Sequence, residues 1–274
     1  MIIGGGSIAL KVIKNLVKIG IETVIIEKAS HLWPIGFDRK VARIVENEIK
    51  NRGVNIYLNE EVLEFKGEQG KIKSVLLKSG KEIPADLAII TIGMRPNIEF
   101  LKESGVFVEK GVIVNEYLQT NIPNIFAAGD VAQIYDSLYD TSILHPTWGN
   151  AKKQAKIAAL NMMGERKRYG GTIPLQTIKI FGFIAIAAGI THSKKNFDEM
   201  LLVSFEKGLA RKFVLKNGKI VGILVLGKNL NKKILKPLIK KAVSYMVDIN
   251  NNKNRLLNFD FDFNLISSTN TINT

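Results

Sequence analysis

The chain has 274 residues, 46% of them hydrophobic and 23% charged, a balance typical of a globular protein with one large domain or two to three modest ones. It contains no cysteine, which excludes disulfides, thiol catalysis, iron–sulfur clusters and cysteine-bound zinc within this chain. The net charge of +14 permits nucleic-acid binding, but the basic residues are spread out and do not interleave with aromatic residues, which favours a solvated surface over a basic binding module.

The first predicted elements are a strand, a turn, a helix and a second strand. An apolar strand at 1–3 leads into three glycines, and apolar residues at helical spacing then predict a helix over 7–19. Gly20 ends this helix, and "IETVIIEK" predicts a second strand whose centre, 24–26, is buried. This order is that of the first half of a parallel, doubly wound unit.

A second amphipathic helix is predicted over 39–52, and a meander follows it. Residues 53–85 alternate between apolar and polar side chains and are interrupted by turn signals, which predicts an antiparallel hairpin or meander inserted into the α/β unit. The next segment, "ADLAIITIG", is continuously apolar, so we expect a buried parallel strand.

The remaining chain predicts two further groups of elements and a tail. Between 94 and 164 we expect a loop with a short helix, then strand, loop, strand and sharp glycine turn in "VIVNEYLQTNIPNIFAAGD", and a helix in "NAKKQAKIAALNMMG". Between 172 and 248 we expect three strands, a hairpin turning at Asn217-Gly218, and a basic helix over 232–246 that starts or kinks at Pro237.

Residues 249–274 are rich in asparagine and low in complexity, which predicts a poorly ordered tail. The alternating "NFDFDFN" within it is interpreted as a short strand or irregular chain rather than a metal site. The three histidines, His31, His145 and His192, are far apart in the sequence, so no metal site is predicted.

The longest apolar run, "IKIFGFIAIAAGI", is shorter than the roughly 20 residues that a membrane-spanning helix needs, and it contains a lysine. No secretory signal precedes the first predicted strand. We therefore expect a cytoplasmic protein with no membrane or nucleic-acid partner.

The turn "GGGSIA" follows a strand and opens a helix, which is the context of a dinucleotide-binding turn. Gly4 allows the tight turn, Gly6 lets the backbone approach a pyrophosphate, and Ala9 lets the helix pack closely on the strand. The start of the helix supplies free amides and a favourable dipole for the phosphates.

Glu27 ends the second predicted strand, 18 residues beyond the last position of this turn. A carboxylate there can accept both ribose hydroxyls of an adenine nucleotide, and it repels a 2′-phosphate, which favours NAD over NADP. Lys28 next to it weakens this preference. The alternative interpretation is that Glu27 is a solvated carboxylate at the end of a strand.

Five segments then occur in a characteristic order: "GGGSIAL", "VIIEK", "ITIGMRPN", "TNIPNIFAAGDVA" and "NAKKQAKIAALNMMG". Together they resemble the pyridine nucleotide-disulfide oxidoreductase family, in particular the branch with NADH oxidases, NADH peroxidases, coenzyme A disulfide reductases and rubredoxin reductases. The resemblance covers roughly residues 1–248.

The resemblance implies an α/β fold with three domains before the tail at 249–274. These are a Rossmann-like NAD(P)-binding domain with an inserted β-meander at 1–92, the C-terminal half of an FAD-binding domain at 93–171, and a small α+β domain at 172–248. Family members commonly dimerise through the last of these, and it is apolar enough for a homodimer, but the sequence pattern does not distinguish a dimer interface from a core.

The resemblance also implies roles for individual residues. Gly4, Gly6, Ser7 and Ile8 would line the NAD pyrophosphate. Glu27 would bind the adenosine ribose. Gly93 would pack against the nicotinamide half.

The implied FAD residues lie further along the chain. Gly129 would allow close backbone approach and Asp130 would bind the ribityl chain. Pro146, Thr147 and Trp148 would lie near the isoalloxazine ring, at a helix whose dipole faces the pyrimidine side.

The sequence departs from the family pattern in several ways. Nothing corresponds to the earlier nucleotide-binding half that holds the ADP part of FAD, and the active-site cysteines of that half are absent. Lys11 stands where a glutamate often couples nicotinamide to flavin, and Ser7 replaces an aromatic residue that gates nicotinamide access. The "HPT" at His145 is similar to a catalytic histidine of disulfide reductases, but it precedes the FAD-facing helix, so no catalytic residue is predicted.

The leading hypothesis is an FAD-dependent NAD(P)H oxidoreductase that passes hydride from NADH to flavin and on to an unidentified acceptor. The first alternative is a truncated or split nucleotide-binding subunit that binds NAD without turnover of its own and holds FAD only with a separate N-terminal partner. The second alternative is the basic nucleic-acid-binding module.

Overall fold

The computed structural model describes residues 1–136, 138–191 and 197–249, together with Leu256 and Asn258. His192 and nearly all of the predicted tail, including all of "NFDFDFN" except Asn258, lie outside the described residues. The chain divides into two compact units, one formed by Met1–Gly93 with Leu175–Thr274 and the other by Met94–Pro174. The domain boundaries expected from the sequence stay a prediction.

The elements of the first unit begin with a Rossmann-like arrangement. The helices are α1 (Ser7–Lys18) and α2 (Arg39–Lys50), and the strands up to Gly93 are β1 (Ile2–Ile3), β2 (Val24–Glu27), β3 (Asn55–Leu58), β4 (Val62–Glu68), β5 (Lys71–Leu77), β6 (Glu82–Pro84) and β7 (Ile89–Ile90). Four of these strands form a parallel sheet in the order β3-β2-β1-β7.

This parallel sheet is covered on both faces by apolar side chains. On one face, Ile2 and Ile25 pack with Leu10 of α1 and Val45 of α2. On the other face, Ile26 packs with residues of the antiparallel meander β4-β5-β6. Successive strand residues point to opposite faces, so β2 contributes side chains to the core on both sides of the sheet. The α/β fold with an inserted meander is confirmed.

The structure corrects the prediction for residues 53–85. The first strand of that segment, β3, pairs in parallel with β2, Val24 opposite Asn55, and so belongs to the main sheet. The antiparallel meander begins only at Val62. Alternating polarity has a period of two in either kind of sheet, so the sequence pattern could not identify the partner of β3.

The structure also corrects the prediction of a buried strand in "ADLAIITIG". Among the described residues, strand β7 pairs with β1 alone and forms an edge of the sheet, and Ile90 is 58% exposed. Leu87 and Ile92 beside it are also exposed. The apolar run correctly indicated a parallel strand, but its position at the edge leaves one side open to solvent.

The rest of the first unit is an antiparallel sheet with one helix. Its strands are β11 (Leu175–Ile180), β12 (Phe183–Gly189), β13 (Asp198–Ser204), β14 (Leu209–Lys216) and β15 (Lys219–Lys228), and its helix is α4 (Lys232–Ser244). The sheet has the order β11-β12-β15-β14-β13, and the predicted turn at Asn217-Gly218 has positive φ at both residues. Pro237 lies inside α4 rather than at its start.

The second unit has three strands, β8 (Val112–Val114), β9 (Ala132–Asp136) and β10 (Thr141–Leu144), a 3-10 turn at Glu99–Leu101 and the helix α3 (Trp148–Met162). Its sheet has the order β10-β9-β8, and Val112, Ile134 and Ile157 belong to one apolar core. The strand expected before the glycine turn is only a bridge between Gln119 and Phe126, and the regular strand β9 follows the turn.

Lys212 is the most buried charged residue among the described residues of the first unit. Its side chain is 1% exposed, and its Nζ lies 2.8 Å from Asp38 Oδ1 and 2.6 Å from Glu199 Oε1. Lys212→Met is expected to lower the free energy of unfolding by about 3 kcal/mol, because it leaves two carboxylates facing each other without their cation. Urea denaturation of the full chain measures this loss.

Lys66→Met is the matched control for this prediction, because Lys66 also pairs with a carboxylate, Glu82, but on the open surface. We expect little change from it, since exposed ion pairs contribute little to stability. Equal losses in the two variants would contradict the structural role of the buried lysine.

Candidate functional site

A cavity of about 460 Å³ opens where the carboxyl ends of β1 and β2 meet the start of α1. In parallel α/β sheets this is the usual position of a ligand. All six residues predicted to contact NAD line it, namely Gly4, Gly6, Ser7, Ile8, Glu27 and Gly93. Positions up to 89 residues apart in the sequence therefore meet in one place.

Gly4 fixes the conformation of the glycine turn, which lines this cavity. Its φ is +94°, and a Cβ built on it would lie 2.6 Å from the carbonyl oxygen of Thr91. Its amide donates to the carbonyl of Ile26 at 2.8 Å, and the Thr91 hydroxyl lies 3.0 Å from the carbonyl oxygen of Gly4. The turn is thus held between β2 and the end of β7, and only glycine fits.

Gly6 is different, because no protein atom explains why it is glycine. Its φ is −74°, and a Cβ built on it would have no neighbour within 4 Å in the part of the chain that the structure describes. Gly6 is also the N-cap of α1 and provides no side-chain hydrogen bond to the helix. The helix therefore begins beside open space with uncapped amides, which is the arrangement that binds phosphate groups.

Glu27 is fixed in place by two backbone amides. Its Oε1 accepts from Ala29 N at 2.7 Å, and its Oε2 accepts from the amide of Gly5 in the glycine turn. It is therefore held at the cavity rather than free in solvent. An ionised carboxylate has about four acceptor positions, so each oxygen can still accept one ribose hydroxyl. These residues fit the adenosine and pyrophosphate parts of NAD.

The sequence analysis missed several residues of the cavity wall. Trp33, which is 1% exposed, lines the cavity and donates its amide to Gly5 O at 2.8 Å. The signal was the apolar "LWPIGF" after β2, which has neither helical nor strand spacing. Glu60 and Glu61 also line the cavity. They were missed because residues 53–85 were assigned as a whole to the meander.

The residues predicted for FAD lie in the second unit, around the start of α3. Gly129, with φ +87°, donates its amide to Oε1 of Gln154, a fully buried residue of α3, at 2.7 Å. Thr147 is the N-cap of α3, and its hydroxyl accepts from Asn150 N. The glycine turn and the helix are thereby joined.

The remaining residues of this set are open to solvent. Asp130 and Pro146 are exposed, and Trp148 is 79% exposed. The carboxylate of Asp130, which can accept hydrogen bonds, and the ring of Trp148, which can stack, therefore lie beside the turn at Gly129 and the start of α3. The role of these residues in binding FAD stays a prediction.

His145 belongs to a buried network beneath α3. Its Nε2 lies 2.9 Å from Asp136 Oδ2, its carbonyl accepts from Asn150 Nδ2 at 3.0 Å, and its side chain is 4% exposed. Burial, reinforced by the negative charge of Asp136, raises the pKa of the nearby Tyr139 to about 12. These contacts tie β9 to the start of α3.

Tyr139 should make the protein less stable as the pH rises in the alkaline range. Because its pKa is raised on folding, its contribution is fully present below about pH 10, the pKa of an unfolded tyrosine, and is lost as the pH rises through about 12. Between pH 9 and pH 11 the free energy of unfolding should fall by about 1 kcal/mol less in Tyr139→Phe than in the wild type. Urea midpoints at these two pH values test this, and identical pH dependence in both proteins would contradict it.

Within the part of the chain that the structure describes, no helix is both long and apolar enough to cross a bilayer.

Comparison with known proteins defines the class of protein. The sequence profile of pyridine nucleotide-disulphide oxidoreductases matches residues 1–159. The chain belongs to this family, which confirms the resemblance found in the sequence.

Individual relatives are longer than this chain. It is 30% identical over 241 residues to the nitrite reductase (NAD(P)H) of Bacillus subtilis, covering 88% of this chain and 29% of the relative. It is 30% identical over 245 residues to the NADH oxidase of Enterococcus faecalis, covering 88% of this chain and 55% of the relative. The chain thus spans about half or less of these proteins.

Solved structures show the same fold. The putidaredoxin reductase in its covalent complex with putidaredoxin matches with a TM-score of 0.87 and 23% identity, covering 99% of this chain and 64% of that one. The reduced CoADR-RHD of Bacillus anthracis matches with a TM-score of 0.82 and 25% identity, covering 97% of this chain and 52% of that one. The predicted fold class is confirmed.

Proposed function

We propose that the chain acts in an FAD-dependent NAD(P)H oxidoreductase that passes hydride from NADH to flavin and on to an acceptor. The observation that carries this proposal is the cavity at the start of α1, where open space over Gly6 and the fixed carboxylate of Glu27 suit an adenine dinucleotide. Family membership supports it, and relatives with names such as NADH oxidase and rubredoxin-NAD(+) reductase agree with it.

In this proposal the protein binds and orients its nucleotides. The amides at Gly6, Ser7 and Ile8 hold the pyrophosphate, Glu27 accepts the ribose hydroxyls, and Gly93 allows the nicotinamide half to approach the backbone. NADH is favoured because the carboxylate of Glu27 repels a 2′-phosphate.

The flavin-binding part of the proposal rests on the second unit. Gly129 and Asp130 hold the ribityl chain, and the residues 146–148 meet the ring at the start of α3. Bound FAD supplies the ability to accept a hydride and to transfer electrons onward. The chain has no cysteine, so it supplies no thiol to this reaction.

A second candidate is a nucleotide-binding subunit that needs a separate N-terminal FAD-binding partner for turnover. The edge strand β7 favours it, because Leu87, Ile90 and Ile92 expose apolar side chains at this edge of the sheet. Such a surface on a sheet edge is suited to cover by another segment of protein. For either candidate we propose that the protein is cytoplasmic and that, where it dimerises, it does so through residues 172–248.

The visible spectrum of the purified full chain, mixed with FAD and passed through a desalting column, separates these candidates. Retained flavin bands that NADH bleaches under anaerobic conditions would support the oxidoreductase. A colourless protein whose melting temperature rises with NADH would support the subunit. Salt-dependent DNA binding without any effect of nucleotides would instead support the basic module and overturn both.

A further inference from the structure

Lys28 stands at the point of the cavity where NADH and NADPH would differ. It follows Glu27 directly, lines the cavity, and its side chain is 76% exposed. An ammonium group beside the ribose acceptor can bind a 2′-phosphate through a charge-assisted hydrogen bond. On its own, Lys28 would therefore oppose the selectivity of Glu27.

The structure pairs Lys28 with a carboxylate from another segment of the chain. Lys28 Nζ lies 3.3 Å from Glu61 Oε1, and Lys78 Nζ contacts the other oxygen of Glu61. The two lysines hold the pKa of the Glu61 carboxyl below its usual value, so Glu61 is ionised at neutral pH.

The backbone fixes Glu61 at this place. Its carbonyl accepts from Lys78 N at 2.8 Å, and the amide of the preceding Glu60 donates to the carbonyl of Glu27 at 3.1 Å. The start of the meander is thus bound to the end of β2. Three acidic residues, Glu27, Glu60 and Glu61, line the cavity together with Lys28.

We propose that Glu61 is a specificity-determining residue, which neutralises Lys28 and so preserves the preference of the cavity for NADH over NADPH. The inference rests on the proposed function, namely binding of a nicotinamide dinucleotide in this cavity. A 2′-phosphate carries up to two negative charges, so it meets repulsion from Glu61 and finds Lys28 already paired. The ribose hydroxyls of NADH carry no charge and are little affected.

The test is to titrate NADH and NADPH into the full chain by calorimetry at low salt. Glu61→Gln is expected to bind NADPH about tenfold more tightly than the wild type, while its affinity for NADH changes less than about twofold. Both charges of the pair are exposed, so the melting temperature should change little. The double variant Glu61→Gln with Lys28→Gln should lose most of the gain for NADPH, because the released lysine contributes more to the gain than the lost repulsion from Glu61 does.

Glu82→Gln is the matched control. Glu82 accepts hydrogen bonds from Lys66 and Ser74 on the same meander, but it does not line the cavity. Its NADPH to NADH affinity ratio should equal that of the wild type. An equal gain in Glu82→Gln would show that NADPH affinity depends only on the net charge of the protein, and it would overturn the inference.

The remaining outcomes separate the inference from the proposed function. Binding of NADH by the wild type with an unchanged ratio in Glu61→Gln would overturn the inference alone. A gain that is undiminished in the double variant would overturn the role of Lys28. If the wild type bound neither nucleotide, the proposed function would fail and the inference with it.

Discussion

Gly4→Ala is expected to lower the free energy of unfolding by about 3 kcal/mol. Two effects combine at this position: a residue with a Cβ is strained at φ +94°, by roughly 1–2 kcal/mol, and the added atom would lie 2.6 Å from a backbone oxygen of Thr91, which cannot move without displacing β7. The loss can be measured by urea denaturation of the full chain without any nucleotide.

Gly53→Ala is the control that separates these two effects. Gly53 also has positive φ, +80°, but a Cβ built on it would have no neighbour within 4 Å. We expect its loss to be limited to about 1 kcal/mol of backbone strain. If Gly4→Ala were no more destabilising than Gly53→Ala, the close approach of the turn to the end of β7 would be refuted.

Gly6→Val is expected to weaken NADH binding about 100-fold, with a change of less than about 1 kcal/mol in unfolding free energy. The backbone of Gly6 has φ −74°, which any residue adopts, and a Cβ at this position would have no atom of the described residues within 4 Å. The valine would instead fill the space in front of the helix amides. Losing one or two charge-assisted hydrogen bonds to a pyrophosphate, at about 1.5–3 kcal/mol each, accounts for the expected loss.

Gly170→Val serves as the control for this prediction. Gly170 is exposed, a Cβ on it would have no neighbour within 4 Å, and it does not line the cavity. It should leave both NADH affinity and stability unchanged. Full NADH affinity in Gly6→Val would show that the pyrophosphate does not lie at the start of α1, and the proposed site would have to be abandoned.

The sequence predicted helices and the glycine turn well, because both depend on local chemistry. The helix expected over 7–19 is Ser7–Lys18, and the one expected over 39–52 is Arg39–Lys50. Helical spacing and a terminating glycine are properties of neighbouring residues. The positions of Gly4, Gly6 and Glu27 around one cavity follow from the same local pattern of strand, turn, helix and strand.

The sequence predicted less well wherever the outcome depended on distant partners. Strand β3 was assigned to the meander because alternation does not identify the neighbouring strand, and β7 was expected to be buried because an apolar run does not show whether a strand lies at an edge. Trp33 and Glu61 reach the cavity through hydrogen bonds between backbone segments, which leave no periodic pattern in the sequence.

The two hydrogen bonds of Glu27 have a consequence for coenzyme engineering. This carboxylate is a natural target for converting an NADH-dependent protein to NADPH, but here it also clasps the amides of Gly5 and Ala29. Truncating it would free two backbone donors and loosen the phosphate-binding turn, so affinity for both coenzymes would fall together. A redesign that begins at Glu61 leaves these two hydrogen bonds of Glu27 intact and changes only the charge that the 2′-phosphate of NADPH encounters.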